Sequence, residues 1–253
     1  MTMPRPVEAA AFLEALDSTP PTTLSACVGW TAHEVTAHLT AGAAEVSRHL
    51  DPFLHGEAVP ATRSFEEREA PYRAMDDGHL RQRLGTEEQK VRSLIDQVLA
   101  SDPAAVIPWT GRQMPVAKFA PHMASEFAIH GWDLAGDSHD QLLAQPGLVA
   151  HAVGVLGPLL LRRGAAHDPD PGESFAVRLR SGGQPDVRIS VEAGTYGISL
   201  EHDRDSAAEP WLECDPAARL LFVWGRCPDR RHGARSHMSP AVLTRLQTLL
   251  AGY

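Results

Sequence analysis

A carboxylate and an imidazole four residues apart, Glu126 and His130, lie in the stretch Pro121 to Asp133. On a helix that spacing stacks both side chains on one face. Phe119, Met123, Phe127, His130 and Leu134 recur at intervals of three and four, the mark of an inward-facing helical stripe, and Glu126 lies on or beside it. A carboxylate and an imidazole turned toward a core are costly unless something pairs with them, and a divalent cation would satisfy both. Chance spacing or an ordinary buried hydrogen-bonded pair would give the same Glu-x-x-x-His pattern, so the pair alone does not establish a metal. His38 strengthens the case, because it sits within the apolar stripe of a second long helix. Two ligands from one helix and a third from a facing helix is how helical bundles build metal sites. Three protein ligands leave one position open, as in catalytic zinc-type sites. Asp133, or a backbone carbonyl, could orient a ligand imidazole from behind. His122, one turn before Glu126, offers a competing set of His38, His122 and Glu126. It cannot share an ion with His130, because eight helical residues rise about 12 Å. His33 is expected to be exposed near a helix start, and His49 and His55 to lie at the surface or a pocket rim. Trp30 and Trp132 are read as packing residues.

The elements that must position these residues follow from periodicity. Pro6 to Asp17 carries Phe12, Leu13 and Leu16 at helical spacing and is stopped by Pro20-Pro21. Thr31 with Glu34 makes a capping box, and the helix behind it presents Val35, Leu39, Val46 and Leu50 on the same side as His38. Ser64 to Asp77 is polar and partly helical at most. Leu80 to Leu99 forms a third long helix, ended by Asp102-Pro103. Val106 to Met114 reads as a loop or short hairpin, and Pro115 to Asp137 as the helix of the Glu-x-x-x-His pair. Together these make a bundle of about four long antiparallel helices. Pro146 to Arg163 is a further apolar helix. Gly164 to Gly172, rich in Pro, Asp and Gly, reads as a linker or boundary. The segments 175–180, 187–192 and 196–201 alternate with period two and read as strands. Asp215-Pro216 and Ser239-Pro240 each open a helix, with a capping residue followed by proline at the first helical position. The expected fold class is α+β: a helical domain over residues 1–145, then a small α/β domain over 146–253.

Composition limits the partners. The chain has 253 residues, 43% hydrophobic and 22% charged, enough to bury a core. A formal charge of -9 and only two lysines, Lys90 and Lys118, give no basic block, so no nucleic-acid partner is expected. Cys27, Cys214 and Cys227 form no CxxC and cannot all pair, which fits a reducing cytoplasm. The first residues carry no apolar signal core. No apolar run is expected to span a bilayer, so no membrane partner is expected.

Two motifs then combine. The stretch Cys27-Val-Gly-Trp-Thr-Ala-His-Glu-Val-Thr-Ala-His38-Leu39 resembles the Gly-Trp-Thr … His-Leu signature of the mycothiol-dependent maleylpyruvate isomerase family, part of the DinB-like bundle superfamily. Glu126-Phe-Ala-Ile-His130-Gly-Trp132-Asp133 resembles that family's second signature, Glu-x-x-x-His-x-Trp-Asp. The strands and Leu220-Leu-Phe-Val-Trp-Gly-Arg226 are similar to its C-terminal domain. Gly131 departs from the pattern, since many relatives carry a bulkier basic residue there.

The resemblance implies a DinB-like four-helix bundle holding a divalent metal, usually zinc, on His38, Glu126 and His130, which favours His130 over His122. It implies mycothiol as thiol cosubstrate, with its sulfur at the open metal position. Zinc would hold that sulfur as the nucleophilic thiolate. Arg226, at the end of an apolar helix, could clamp a substrate carboxylate bidentately, though a plain salt bridge fits equally. The expected activity is attack on a small electrophile, as S-transfer or as cis–trans isomerisation of the maleylpyruvate type. The alternatives are a metal-binding bundle with a regulatory or small-molecule-binding role and no turnover, and a structural bundle whose inner Glu and His are hydrogen-bonded core residues. No residue chooses between transferase and isomerase, and none fixes the oligomeric state.

Overall fold

The structure, a computed structural model, describes residues 4–202, 209–226 and 234–251, and Cys227 lies outside them. The chain divides into two compact units, Met1–His139 and Asp140–Tyr253. Helices come first and a mixed sheet follows, which makes the fold α+β.

The first unit contains α1 (Val7–Asp17), α2 (Ala32–Leu54), α3 (Phe65–Arg73), α4 (Asp77–Ser101) and α5 (Phe119–Ala135). A hairpin of β1 (Val106–Trp109) and β2 (Arg112–Pro115) lies between α4 and α5. Its turn is Thr110-Gly111, both at positive φ, the conformation that matches the twist of a two-residue hairpin. The start of α2 is fixed by the expected capping box: the Thr31 hydroxyl accepts from the Glu34 N–H, and Glu34 accepts from the Thr31 N–H at 2.7 Å. Asp76 caps α4. α2 packs on α4 and α1 on α5, and α5 also touches α2 and α4. The seams close over Phe12, Val35, Leu39, Leu50, Leu84, Val98 and Phe127, all nearly or fully buried. The Phe12 and Phe127 rings meet edge to face at 5.7 Å.

The polar stretch after Ser64 is more ordered than its composition suggests. It forms α3, nine residues long, opened by a second capping box between Ser64 and Glu67. α3 packs against α2.

The second unit begins with the short α6 (Asp140–Leu143). Then come α7 (Pro146–His151), a π-helical turn at Ala152–Leu156 and α8 (Gly157–Ala165). Against the sequence expectation, Pro146–Ala165 forms one helical run of 20 residues, long and apolar enough to cross a membrane by length and composition. Most of it is buried within its own unit, where α8 packs on β5 (Thr195–Glu201) and α10 (Pro240–Leu250). A side chain at Gly157 would strike Ile198, so glycine is what lets this helix lie close on the sheet. The sheet runs β5, β4 (Asp186–Glu192), β3 (Phe175–Arg180), β6 (Trp211–Glu213), β7 (Arg235–Ser236). β3, β4 and β5 form an antiparallel meander, β6 joins β3 in parallel, and β7 pairs antiparallel with β6. Between β6 and β7 in the chain comes α9 (Pro216–Val223), capped by Asp215. Periodicity had shown β3 to β5 but not β6 and β7, which are three and two residues long.

Gly164 to Gly172 is not a linker between the units but part of the second one. Its Asp168 accepts two hydrogen bonds from Arg245 of α10, at 2.9 and 3.0 Å, and one from Tyr196 at 3.0 Å. Arg245 also donates to the Asp170 and Glu173 carbonyls. Proline and glycine mark irregular backbone here, and a single arginine fastens it.

Candidate metal centre

α2 and α5 carry the residues singled out in the sequence onto one spot of the first unit. One ligand-type atom from each of His38, Glu126 and His130 lies within 4.8 Å of the others. His38 Nε2 is 3.4 Å and His130 Nε2 3.8 Å from the same carboxylate oxygen, Glu126 Oε2. The side chains are 12%, 7% and 12% exposed for His38, His130 and Glu126.

The far side of each ring is held. His130 Nδ1 contacts Asp133 Oδ2 at 2.8 Å, as the sequence allowed. His38 Nδ1 contacts Glu69 Oε1 at 2.7 Å, a residue of α3 that the sequence reading did not single out. In the tautomer that donates Nδ1–H to its carboxylate, each neutral ring would direct its Nε2 lone pair at the shared space. The Trp30 indole lies parallel to His130 with centroids 6.3 Å apart, and tilted against His38 at 5.2 Å. Phe65 stacks on His38 at 6.0 Å.

The electrostatics suit a cation. Burial alone would lower the His38 pKa, but hydrogen bonds to Glu126 and Glu69 outweigh it and raise it to about 8. Burial would raise the Glu126 pKa, but the hydrogen bond to His38 and the charges of His122, His38 and His130 drive it far below the usual carboxylate range. Positive charge at this point is therefore strongly favoured, whether carried by a proton or by a metal ion. The donor set is two imidazole nitrogens and one carboxylate oxygen. Around a tetrahedral ion with bonds of about 2.0–2.2 Å such atoms sit roughly 3.3–3.6 Å apart. The observed 3.4 Å falls within that range and 3.8 Å just beyond it, so the three side chains could hold a divalent ion after a small adjustment.

The other histidines sort differently from expectation in two cases. His122 lies 3.9 Å from the other oxygen of Glu126, at the edge of the cluster, with a pKa lowered by burial. His33 is not exposed: its ring bridges the Arg73 carbonyl at 3.1 Å and Asp77 at 3.3 Å. His49 is not at a rim but fully buried, between the Glu45 carbonyl at 2.8 Å and Thr62 at 3.2 Å, with Trp109 edge-on at 5.1 Å. Local polar partners let an imidazole enter the core. His55 is exposed, as expected. Arg226 belongs to the second unit, just past α9, where its guanidinium donates to the Trp224 carbonyl at 3.3 Å. Cys214 is buried, and that burial pushes its thiol up to about 12.

A helical unit with two inward histidines and a carboxylate, both rings backed by acids, belongs to the class of helical domains whose side chains could hold a metal ion. The particular family follows from comparison: residues 7–135, half of the chain, match the mycothiol maleylpyruvate isomerase N-terminal domain, and the chain belongs to that family. All three converging residues lie inside the matched span. Two solved structures are similar over nearly the whole length. One is the mycothiol-dependent maleylpyruvate isomerase and the other a histidine-to-alanine mutant of it. Each shares 15% identity, with 93% of this chain and 91% of that chain covered at a TM-score of 0.65, a likeness of fold. No curated protein matches the chain in sequence.

Proposed function

We propose that this protein is an enzyme in which His38, Glu126 and His130 hold a divalent metal, zinc by preference, and through it a low-molecular-weight thiol, mycothiol. The thiol attacks a small electrophile. The observation that carries this reading is the convergence of the three side chains, with both imidazoles turned Nε2-inward by carboxylates. An ion bound there would lower the pKa of a coordinated thiol and keep it as the nucleophilic thiolate.

The chain's own residues supply the rest. His38 and His130 present neutral nitrogen donors, and Asp133 keeps the His130 ring in its binding tautomer. Trp30 packs against both rings, limiting their motion and the access of water. Cys214 is too buried and too weakly acidic to act as a nucleophile. Arg226 clamps a carboxylate of the electrophile in this proposal. Two outcomes share the first step. In isomerisation the sulfur–carbon bond forms, the neighbouring carbon–carbon bond turns, and the sulfur–carbon bond breaks to return the thiol. In S-transfer the sulfur–carbon bond stays, and the electrophile either releases its leaving group with the bonding electron pair or takes up a proton at the carbon next to the new bond.

Elemental analysis of purified protein should find about one divalent ion per chain, as for a three-ligand site. His38→Ala and His130→Ala should each lose most of it. Full retention in both variants would overturn the ligand assignment, and loss in His122→Ala instead would transfer it. Incubation with mycothiol and a panel of electrophiles, read by mass spectrometry and by chromatography of isomers, should give a conjugate or an isomer. Metal without either product would leave a binding protein in place of an enzyme.

A further inference from the structure

We propose that Glu69 is a positioning residue of the metal centre, fixing the ring and tautomer of His38 through its contact with Nδ1. The proposal rests on the ligand set given under the proposed function.

The geometry is specific. Glu69 is 1% exposed, and a carboxylate so buried is tolerated only when partnered. Its two oxygens have separate tasks. Oε1 accepts from His38 Nδ1 at 2.7 Å, and Oε2 accepts from Arg73 Nη2 at 2.5 Å. Arg73 fixes the carboxylate and also pairs with Glu66 at 3.2 Å. Its guanidinium lies 6.0 Å from the Trp30 ring that packs on both histidines.

Phe65 and Glu69 are four residues apart, so they share a face of α3. Both touch the same imidazole, Phe65 on its flat side at 6.0 Å and Glu69 at its edge. A ring held by face and by edge cannot turn about its own axis without losing one contact. The two ligand histidines are thus held differently. Asp133, which holds His130, is three residues further along the same helix, so that contact forms wherever α5 forms. The acid that holds His38 lies 31 residues away on another helix. His38 becomes a well-directed ligand only when α3 is docked on α2.

A purely structural ion pair between Glu69 and Arg73 would predict something else: loss of stability with metal affinity unchanged. The full-length protein separates the two. Zinc dissociation constants are measured by competition with a chromogenic chelator, together with melting curves without added metal. Glu69→Ala should weaken zinc binding ~10–100-fold, the usual effect of removing an acid behind a ligand histidine. Glu69→Gln keeps an acceptor oxygen at the same reach and should recover part of that loss. Glu66→Gln is the control, because Glu66 is 78% exposed and pairs with Arg73 through Nη1, not through the Nη2 that holds Glu69; it should bind zinc as the wild type does. In zinc-loaded, nitrogen-15-labelled protein the His38 Nδ1–H should give a protected downfield resonance that moves or vanishes in Glu69→Gln. Wild-type protein that binds no zinc would defeat the metal reading and this role together. Wild-type binding with an affinity in folded Glu69→Ala within twofold of it would overturn the role of Glu69 alone. Should Glu69→Ala not fold, the resonance decides the matter: a His38 Nδ1–H signal unchanged in Glu69→Gln would overturn the role.

Discussion

Glu45 offers the sharpest test of how α3 is set in place. Its side chain is fully buried in α2. The carboxylate accepts from Arg48 at 2.7 and 3.1 Å, and from the Arg63 N–H and Nε at 2.9 and 2.8 Å. Arg48 also reaches the Ala61 carbonyl. The clamp therefore ties the segment before Ser64, where α3 starts, to the middle of α2. Burial by itself would raise the Glu45 pKa, but the bonds from Arg48 and Arg63 bring it down to about 2 from 4.5. At about 1.4 kcal/mol for each tenfold change in proton affinity, that lowering is worth about 3 kcal/mol of folding stability. Because the folded-state pKa is the lower one, the stabilisation is complete above the unfolded value and fades as pH falls toward 2. By pH 3.5 roughly two fifths of it should be gone. Glu45→Gln cannot titrate, so it removes this dependence while leaving other acids alone. Urea unfolding of both proteins at pH 7 and pH 3.5, followed by tryptophan fluorescence, should show a gap of about 3 kcal/mol that narrows by roughly two fifths at the lower pH. Equal stability at pH 7, or a gap that does not change with pH, would refute the reasoning.

Packing of the second unit gives two more expectations. A methyl at Gly164 would lie 2.1 Å from the Leu249 carbonyl oxygen, a backbone atom that cannot step aside. Gly164→Ala should therefore cost at least ~1–3 kcal/mol in urea unfolding, and an unchanged midpoint would mean that α8 and α10 are not so closely apposed. Arg245→Ala removes four hydrogen bonds holding residues 168–173. Limited proteolysis should cut the variant between Gly164 and Gly172 well before the wild type, and identical cleavage patterns would show that the arginine does not fasten this segment.

The helices that carry the proposed metal ligands could be read directly from the sequence, because each has a long apolar stripe and α2 a capping box at Thr31. Spacing alone left His122 and His130 as rivals for the ion; the family resemblance favoured His130, and the structure groups His130 with His38 and Glu126. Asp133 was legible as well, being within one helical turn of His130. Glu69 was not. α3 has nine residues, a proline inside it and no apolar stripe, so periodicity had little to register. The one available signal was Ser64 followed three residues later by Glu67, a capping box at the head of a polar segment. His49 was misplaced for a related reason. Its burial depends on the Glu45 carbonyl, one turn back, and on Thr62, from beyond the end of its own helix. Contacts made across the chain leave no periodic trace in it.

The contacts of His38 also set an order of assembly. It meets Glu69 across 31 residues and Glu126 across 88. Closing the shorter loop costs about 0.9 kcal/mol less chain entropy. In a chain made from its amino end, α2 and α3 leave the ribosome before α5 exists. The imidazole is then turned to its working orientation before the other two donors arrive. If the centre takes up the ion proposed above, its capture becomes the closing step in the assembly of the first unit, the event that locks α5 onto an already prepared ligand.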